Sequence, residues 1–161
     1  MKKSPRIETI LWLLATLALV LADAGSSARA RPQLFVPDPI SGYALGGRDP
    51  VAYFVDKRPR AGKRQYELYW AGARWVFVNQ GNRAAFEASP TTYAPAFAGC
   101  AAHSLALGFA SAGNPTIFAI YRNQLLLFHS DVNRFLFLAN PEANMAAAQE
   151  HAARVGCQAG R

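Results

Sequence analysis

Cys100, His103 and His129 carry the soft donors of this chain. Cys100 and His103 stand three positions apart, which on a helix puts both on one face. A thiolate with two imidazoles is a set suited to copper or zinc, although a closed structural site takes four ligands. The competing reading of each histidine is an ordinary hydrogen-bonded side chain. Cys157 is the other cysteine, and the pair Cys100 and Cys157 forms either one disulfide or two free thiols. A bridge over that span would contribute about 4 kcal/mol by the chain-entropy model. Catalytic arrangements are poorer. His129-Ser130-Asp131 holds triad residue types, but sequence neighbours cannot adopt triad geometry among themselves, and there is no G-x-S-x-G elbow. His103-Ser104 has no evident acid partner. Gly46-Gly47 leads into an expected strand, where a phosphate site would need a helix N-terminus. The expectation is a protein that is not an enzyme.

The chain opens with Lys2, Lys3 and Arg6, runs through an apolar stretch from Ile10 to Ala22 broken only by Thr16, and reaches small residues around Ala24 and Ala30. That is the layout of a secretory signal peptide over residues 1–30, with cleavage after Ala24 as the other choice. The apolar run falls short of the ~20 residues a spanning helix needs. A periplasmic or secreted location follows. Removing residues 1–30 takes away Lys2, Lys3, Arg6 and Arg29 with Glu8 and Asp23, so the net charge goes from +7 to +5. Much of that charge sits in Lys57, Arg58, Arg60, Lys63 and Arg64. No aromatic residues are interleaved there for base stacking, so nucleic acid is not the expected partner. A solvated loop is the default reading, and contact with an anionic membrane surface is the other.

Elements that would position these residues come from a self-match. Shifted by 51, the stretch 75–90 meets 126–141 in the frame F-x-[NS]-x-x-N-R-x-x-F-x-x-x-P, carried by Asn82, Arg83, Phe86 and Pro90 and again by Asn133, Arg134, Phe137 and Pro141. The same shift sets Ala61-Gly62 on Ala112-Gly113. This reads as an internal duplication. The first copy alternates aromatic and polar residues into a hairpin around Ala71-Gly72-Ala73, and the second repeats the hairpin around Arg122-Asn123. Asn79 and Ser130 then stand as helix caps. Residues 49–54 read as a turn and short strand, 98–108 as a buried helix ending at Gly108, and 142–155 as a terminal helix. Leu125-Leu126-Leu127-Phe128 is apolar on both faces, which places the second copy's strands nearer the middle of a sheet.

The run Gly46-Gly47-Arg48-Asp49-Pro50-Val51-Ala52-Tyr53-Phe54, the hairpin Tyr69-Trp70-x-Gly72-x-x-Trp75-x-Phe77, the Asn82-Arg83-x-x-Phe86-x-x-x-Pro90 helix and Tyr93-Ala94-Pro95 resemble the YHS-domain family in its secreted bacterial branch. The likeness covers residues 43–140. Metal-associated members of the wider YHS and TRASH group carry cysteines where this chain has Ala52, Val78 and Asn82, so the resemblance implies no metal in the first copy. His129 takes the place equivalent to Val78 in the second. The branch has a Gly-Gly-Tyr-Cys-Ala run after Tyr-Ala-Pro, and Cys100 stands one position early in it. The expected architecture is α+β: an extended lead-in over 31–45, then one domain over 46–157 whose two strand-hairpin-helix units, 46–98 and 99–157, share one antiparallel sheet with helices packed on it. Its expected work is that of a binding or accessory module that engages a partner protein or small ligand, with a periplasmic copper or zinc protein as the alternative.

Overall fold

A computed structural model of the chain describes Phe35 and residues 38–157. The expected signal peptide over residues 1–30, and the lead-in apart from Phe35 and residues 38–45, lie outside the described residues. A 3-10 turn at Ala44–Gly47 and helix α1 (Ala52–Val55) precede strands β1 (Lys63–Trp70) and β2 (Ala73–Phe77), followed by helices α2 (Gln80–Ala88) and α3 (Pro90–Tyr93). Then come α4 (Ala102–Ala106), β3 (Asn114–Tyr121), β4 (Gln124–Phe128), α5 (Asp131–Ala139) and α6 (Pro141–Arg154). The fold is α+β, with two antiparallel two-stranded sheets among the described residues.

Both hairpins turn on two residues in the left-handed region, Ala71 and Gly72 in one and Arg122 and Asn123 in the other. That turn matches the right-handed twist of the flanking strands. In each hairpin the register slips near the open end, between Lys63 and Glu67 and between Asn114 and Phe118. A slip interrupts the ladder, and an arginine from the following helix reaches back to it. Arg83 Nε donates to Glu67 O at 3.0 Å and Arg134 Nη1 to Phe118 O at 3.5 Å. Asn79 Oδ1 accepts from Asn82 N at 2.8 Å and Ser130 Oγ from Asn133 N at 3.2 Å, so each side chain satisfies an N–H that the helix leaves unbonded. Pro90 and Pro141 each open the next helix, where a missing N–H costs nothing.

Three expectations are corrected. The stretch after Asp49-Pro50 is the helix α1 and not a strand, because Asp49 Oδ1 accepts from Val51 N and Ala52 N and the proline fixes a helical φ. The helix expected over 98–108 shrinks to α4, since Ala98 and Gly99 are left-handed at φ 55° and 96°. The hairpins do not share one sheet. Segments preceding each hairpin take the free edges of β2 and β4 by single bridges, Tyr43 to Arg74, Pro95 to Leu125 and Ala101 to Leu127.

β4 lies between two apolar clusters, which is why it is apolar on both faces. Leu125 and Leu127 join Tyr53, Trp75, Phe77 and Phe86 in one. Leu126 and Phe128 join Leu105, Phe137, Met145 and Ala148 in the other. Tyr53 crosses the seam: its ring meets Phe118 edge-on at 4.9 Å and its hydroxyl donates to Pro115 O at 2.6 Å. Burial pushes the Tyr53 hydroxyl well above the usual phenol range, so it stays a donor.

The Ala-Gly pair ahead of each hairpin has a steric task. A Cβ on Gly62 would lie 2.5 Å from the carbonyl carbon of Val76, and one on Gly113 would lie 2.5 Å from Leu127 Cβ. Backbone cannot yield as a side-chain tip does. Gly62→Ala is therefore expected to lower stability by about 2–3 kcal/mol, read as a fall in the urea midpoint at unchanged slope.

Candidate functional site

The segments that precede and enter each hairpin leave a cavity of about 470 Å³ along the seam. Its walls are mainly apolar and include Phe35, Leu45, Trp75, Pro95, Cys100 and Leu127. Trp75 is fully buried; its ring packs on Phe35 at 5.1 Å and Phe86 at 5.0 Å, so this wall is rigid. The polar groups at the rim are Asp38 and Ser111. Asp38 Oδ1 accepts from Ser41 N at 2.7 Å and Ile40 N at 3.2 Å, and the Ser41 bond leads in holding its carboxyl below the usual carboxylate range. Ser111 Oγ donates to Ser104 Oγ at 2.6 Å, so it faces its own neighbour. Among the described residues no lysine, arginine or histidine lines the space. Its size suits a small molecule and its chemistry an uncharged, apolar one.

A second polar centre lies beside the first hairpin. Asp49 is fully buried, and besides Val51 N and Ala52 N its carboxylate accepts from Val78 N at 2.8 Å and Asn82 Nδ2 at 2.7 Å. These bonds tie α1, the end of β2 and α2 to one side chain. Ala52, Val78 and Asn82 thus converge on a point that a carboxylate fills. Every donor is neutral, and the centre is structural. Sequence reasoning took Asp49 for a turn residue; the available signal was a lone acid followed by the apolar run Val51-Ala52-Tyr53.

The expected metal-ligand trio Cys100, His103 and His129 is not brought together in this structure. Cys100 is bonded to Cys157, with sulfurs 2.00 Å apart, so its sulfur is spent. It also precedes α4, whose cap Ala101 is extended, and shares no helical face with His103. His129 is exposed beyond β4, with Nδ1 3.5 Å from Ala112 O. Among the described residues no group of three His, Cys, Asp or Glu side chains could hold a metal ion. His103 is 9 % exposed and its Nδ1 has no hydrogen-bond partner. Because an unpaired buried polar atom costs free energy, His103→Leu is expected to hold or raise stability, by up to about 1 kcal/mol. A loss of more than that in urea unfolding would show that the nitrogen has a partner.

Lys57, Arg58, Arg60, Lys63 and Arg64 lie exposed in the loop before and at the start of β1, with Arg60 paired to Asp56 at 3.0 Å. Among the described residues no helix is long and apolar enough to cross a membrane. Exposed apolar side chains gather instead on α5, where Val132, Phe135, Leu136 and Leu138 face solvent, Phe135 at 73 %. The 51-residue shift sets these four on Gly81, Ala84, Ala85 and Glu87 of α2. Comparison of the chain with family models, with curated proteins and with solved structures returned no match.

Proposed function

We propose that this chain is a secreted, non-catalytic binding module of the YHS type, made by duplication of a hairpin-helix unit, and that it holds a small uncharged apolar molecule in the seam cavity. The duplication is supported by the positive-φ residues: Gly46, Gly47, Lys57, Ala71 and Gly72 each have a left-handed counterpart, Ala98, Gly99, Gly108, Arg122 and Asn123. The counterparts lie 52 residues on for the first two and 51 for the rest, so one inserted residue accounts for the difference. The observation that carries the binding reading is the cavity of about 470 Å³ walled by Trp75, Phe35 and Leu127, with no cationic side chain among the described residues that line it.

The test is titration with N-phenyl-1-naphthylamine, a neutral apolar probe whose emission rises out of water, with Trp75 in the wall as a second reporter. Saturable binding is expected in the purified protein, and Ala112→Phe, which adds a ring at the rim, should abolish it without lowering the melting temperature. Absence of saturable binding to the unaltered protein overturns the reading. The α5 face favours a partner protein as a second reading. A photo-crosslinker at Val132 should then give a discrete adduct in the native compartment, and none at Gly81; no adduct at Val132 removes it.

A further inference from the structure

We infer that the Cys100–Cys157 disulfide is a redox latch on the seam cavity, an inference that rests on the cavity being the binding site. Cys100 belongs both to the cavity wall and to the bridge, while Cys157 follows the terminal helix α6. The two halves build the corresponding wall differently. In the first half the left-handed pair is Gly46 and Gly47, at φ 57° and 77°, and two residues later the buried Asp49 carboxylate ties the turn to β2 and α2. In the second half the pair is Ala98 and Gly99, and Ala101 stands in the place of Asp49. A left-handed alanine is strained and persists where its surroundings over-determine it.

Two backbone bonds are common to both halves. Gly62 N donates to Gly47 O and Asp49 N to Arg60 O, as Gly113 N does to Gly99 O and Ala101 N to Ser111 O. What the second half lacks is the carboxylate, and beside the vacant position it has the covalent bond. That bond is breakable, whereas four hydrogen bonds to a buried carboxylate are not under redox control.

Cys100 is partly exposed along the cavity and Cys157 is 3 % exposed, so an entering thiolate meets the Cys100 sulfur. A dithiol reductant attacks Cys100 Sγ, forming a mixed disulfide as the Cys157 sulfur leaves as a thiolate and takes up a proton. Its second thiol then displaces Cys100 as the other thiol. Two electrons and two protons pass to the chain, and the reductant leaves as a disulfide. With the latch open, Ala98 and Gly99 lose the constraint that keeps them left-handed, and the wall they form with Ser111, Ala112 and Gly113 comes loose. The oxidised chain holds its ligand and the reduced chain lets it go.

The experiment compares N-phenyl-1-naphthylamine binding and amide hydrogen exchange in the oxidised protein and after dithiothreitol. Reduction should weaken the probe at least about tenfold, as when the competent fraction falls to a tenth. It should also speed exchange over residues 98–113 and leave residues 46–62 unchanged. Equal affinity and equal exchange in the two states overturn the latch. If the oxidised protein fails to bind the probe, the cavity reading falls, and the exchange over residues 98–113 alone decides the latch. Met145→Ala, which loosens the second cluster that holds Cys157 while leaving the disulfide intact, is the control for general destabilisation. If oxidised Met145→Ala loses affinity as the reduced protein does, the latch is overturned.

Discussion

Asp49→Ala is expected to lower stability by about 5 kcal/mol. The change leaves the N–H groups of Val51, Ala52 and Val78 and the amide of Asn82 facing a space with no acceptor, at a cost of about 1–3 kcal/mol for each unsatisfied buried group. Asn82 can swing toward solvent, so about three donors carry the loss. Asp49→Asn separates geometry from acceptor count. Its oxygen still serves Val51 and Ala52, while its NH2 opposes Val78 N and Asn82 Nδ2, so roughly half the loss should remain. Urea unfolding of both variants checks this. A loss under about 1 kcal/mol for the alanine change would show that water supplies the missing acceptor.

What could be read from the sequence is what local chemistry decides. Asn79 and Ser130 cap helices because a short polar side chain before a periodic run has few better options, and Pro90 and Pro141 stand at helix starts because their φ is already set. The hairpins follow from alternation and from a two-residue turn holding Gly72 or Asn123. Long-range partners were less legible. Nothing local says that Asp49 will be sealed among four neutral donors, or that the edges of β2 and β4 will be bridged by Tyr43 and Pro95 before the hairpins can meet. Cys100 was drawn toward His103 by a helical spacing that left-handed Ala98 and Gly99 and extended Ala101 interrupt. The cavity left the faintest trace, a run of small residues in 94–101 and 110–113 that fill little volume.

Phe86→Ala is expected to lower stability by about 5 kcal/mol, the top of the range for a buried phenylalanine, and Phe137→Ala by about 3 kcal/mol. Both rings are fully buried and take matching places, Phe86 against Phe77 at 5.2 Å and Phe137 against Phe128 at 5.4 Å. Phe86 also meets Trp70 at 5.5 Å and Trp75 at 5.0 Å, and each aromatic pair is worth about 0.5–1.5 kcal/mol beyond its area. The first cluster is thus a core of tilted and edge-on aromatic rings, and a void left there would be walled by rings that cannot collapse. The second is lined by Leu105, Met145 and alanines that can close in. The clusters meet along β4, so local loosening from one change should spread through Leu125 and Leu127 or through Leu126 and Phe128. Chemical unfolding of the two single variants gives the difference. Equal losses would mean that the aromatic contacts of Phe86 add nothing to its burial, whereas a gap of about 2 kcal/mol assigns the tighter core to the half that walls the cavity with Trp75.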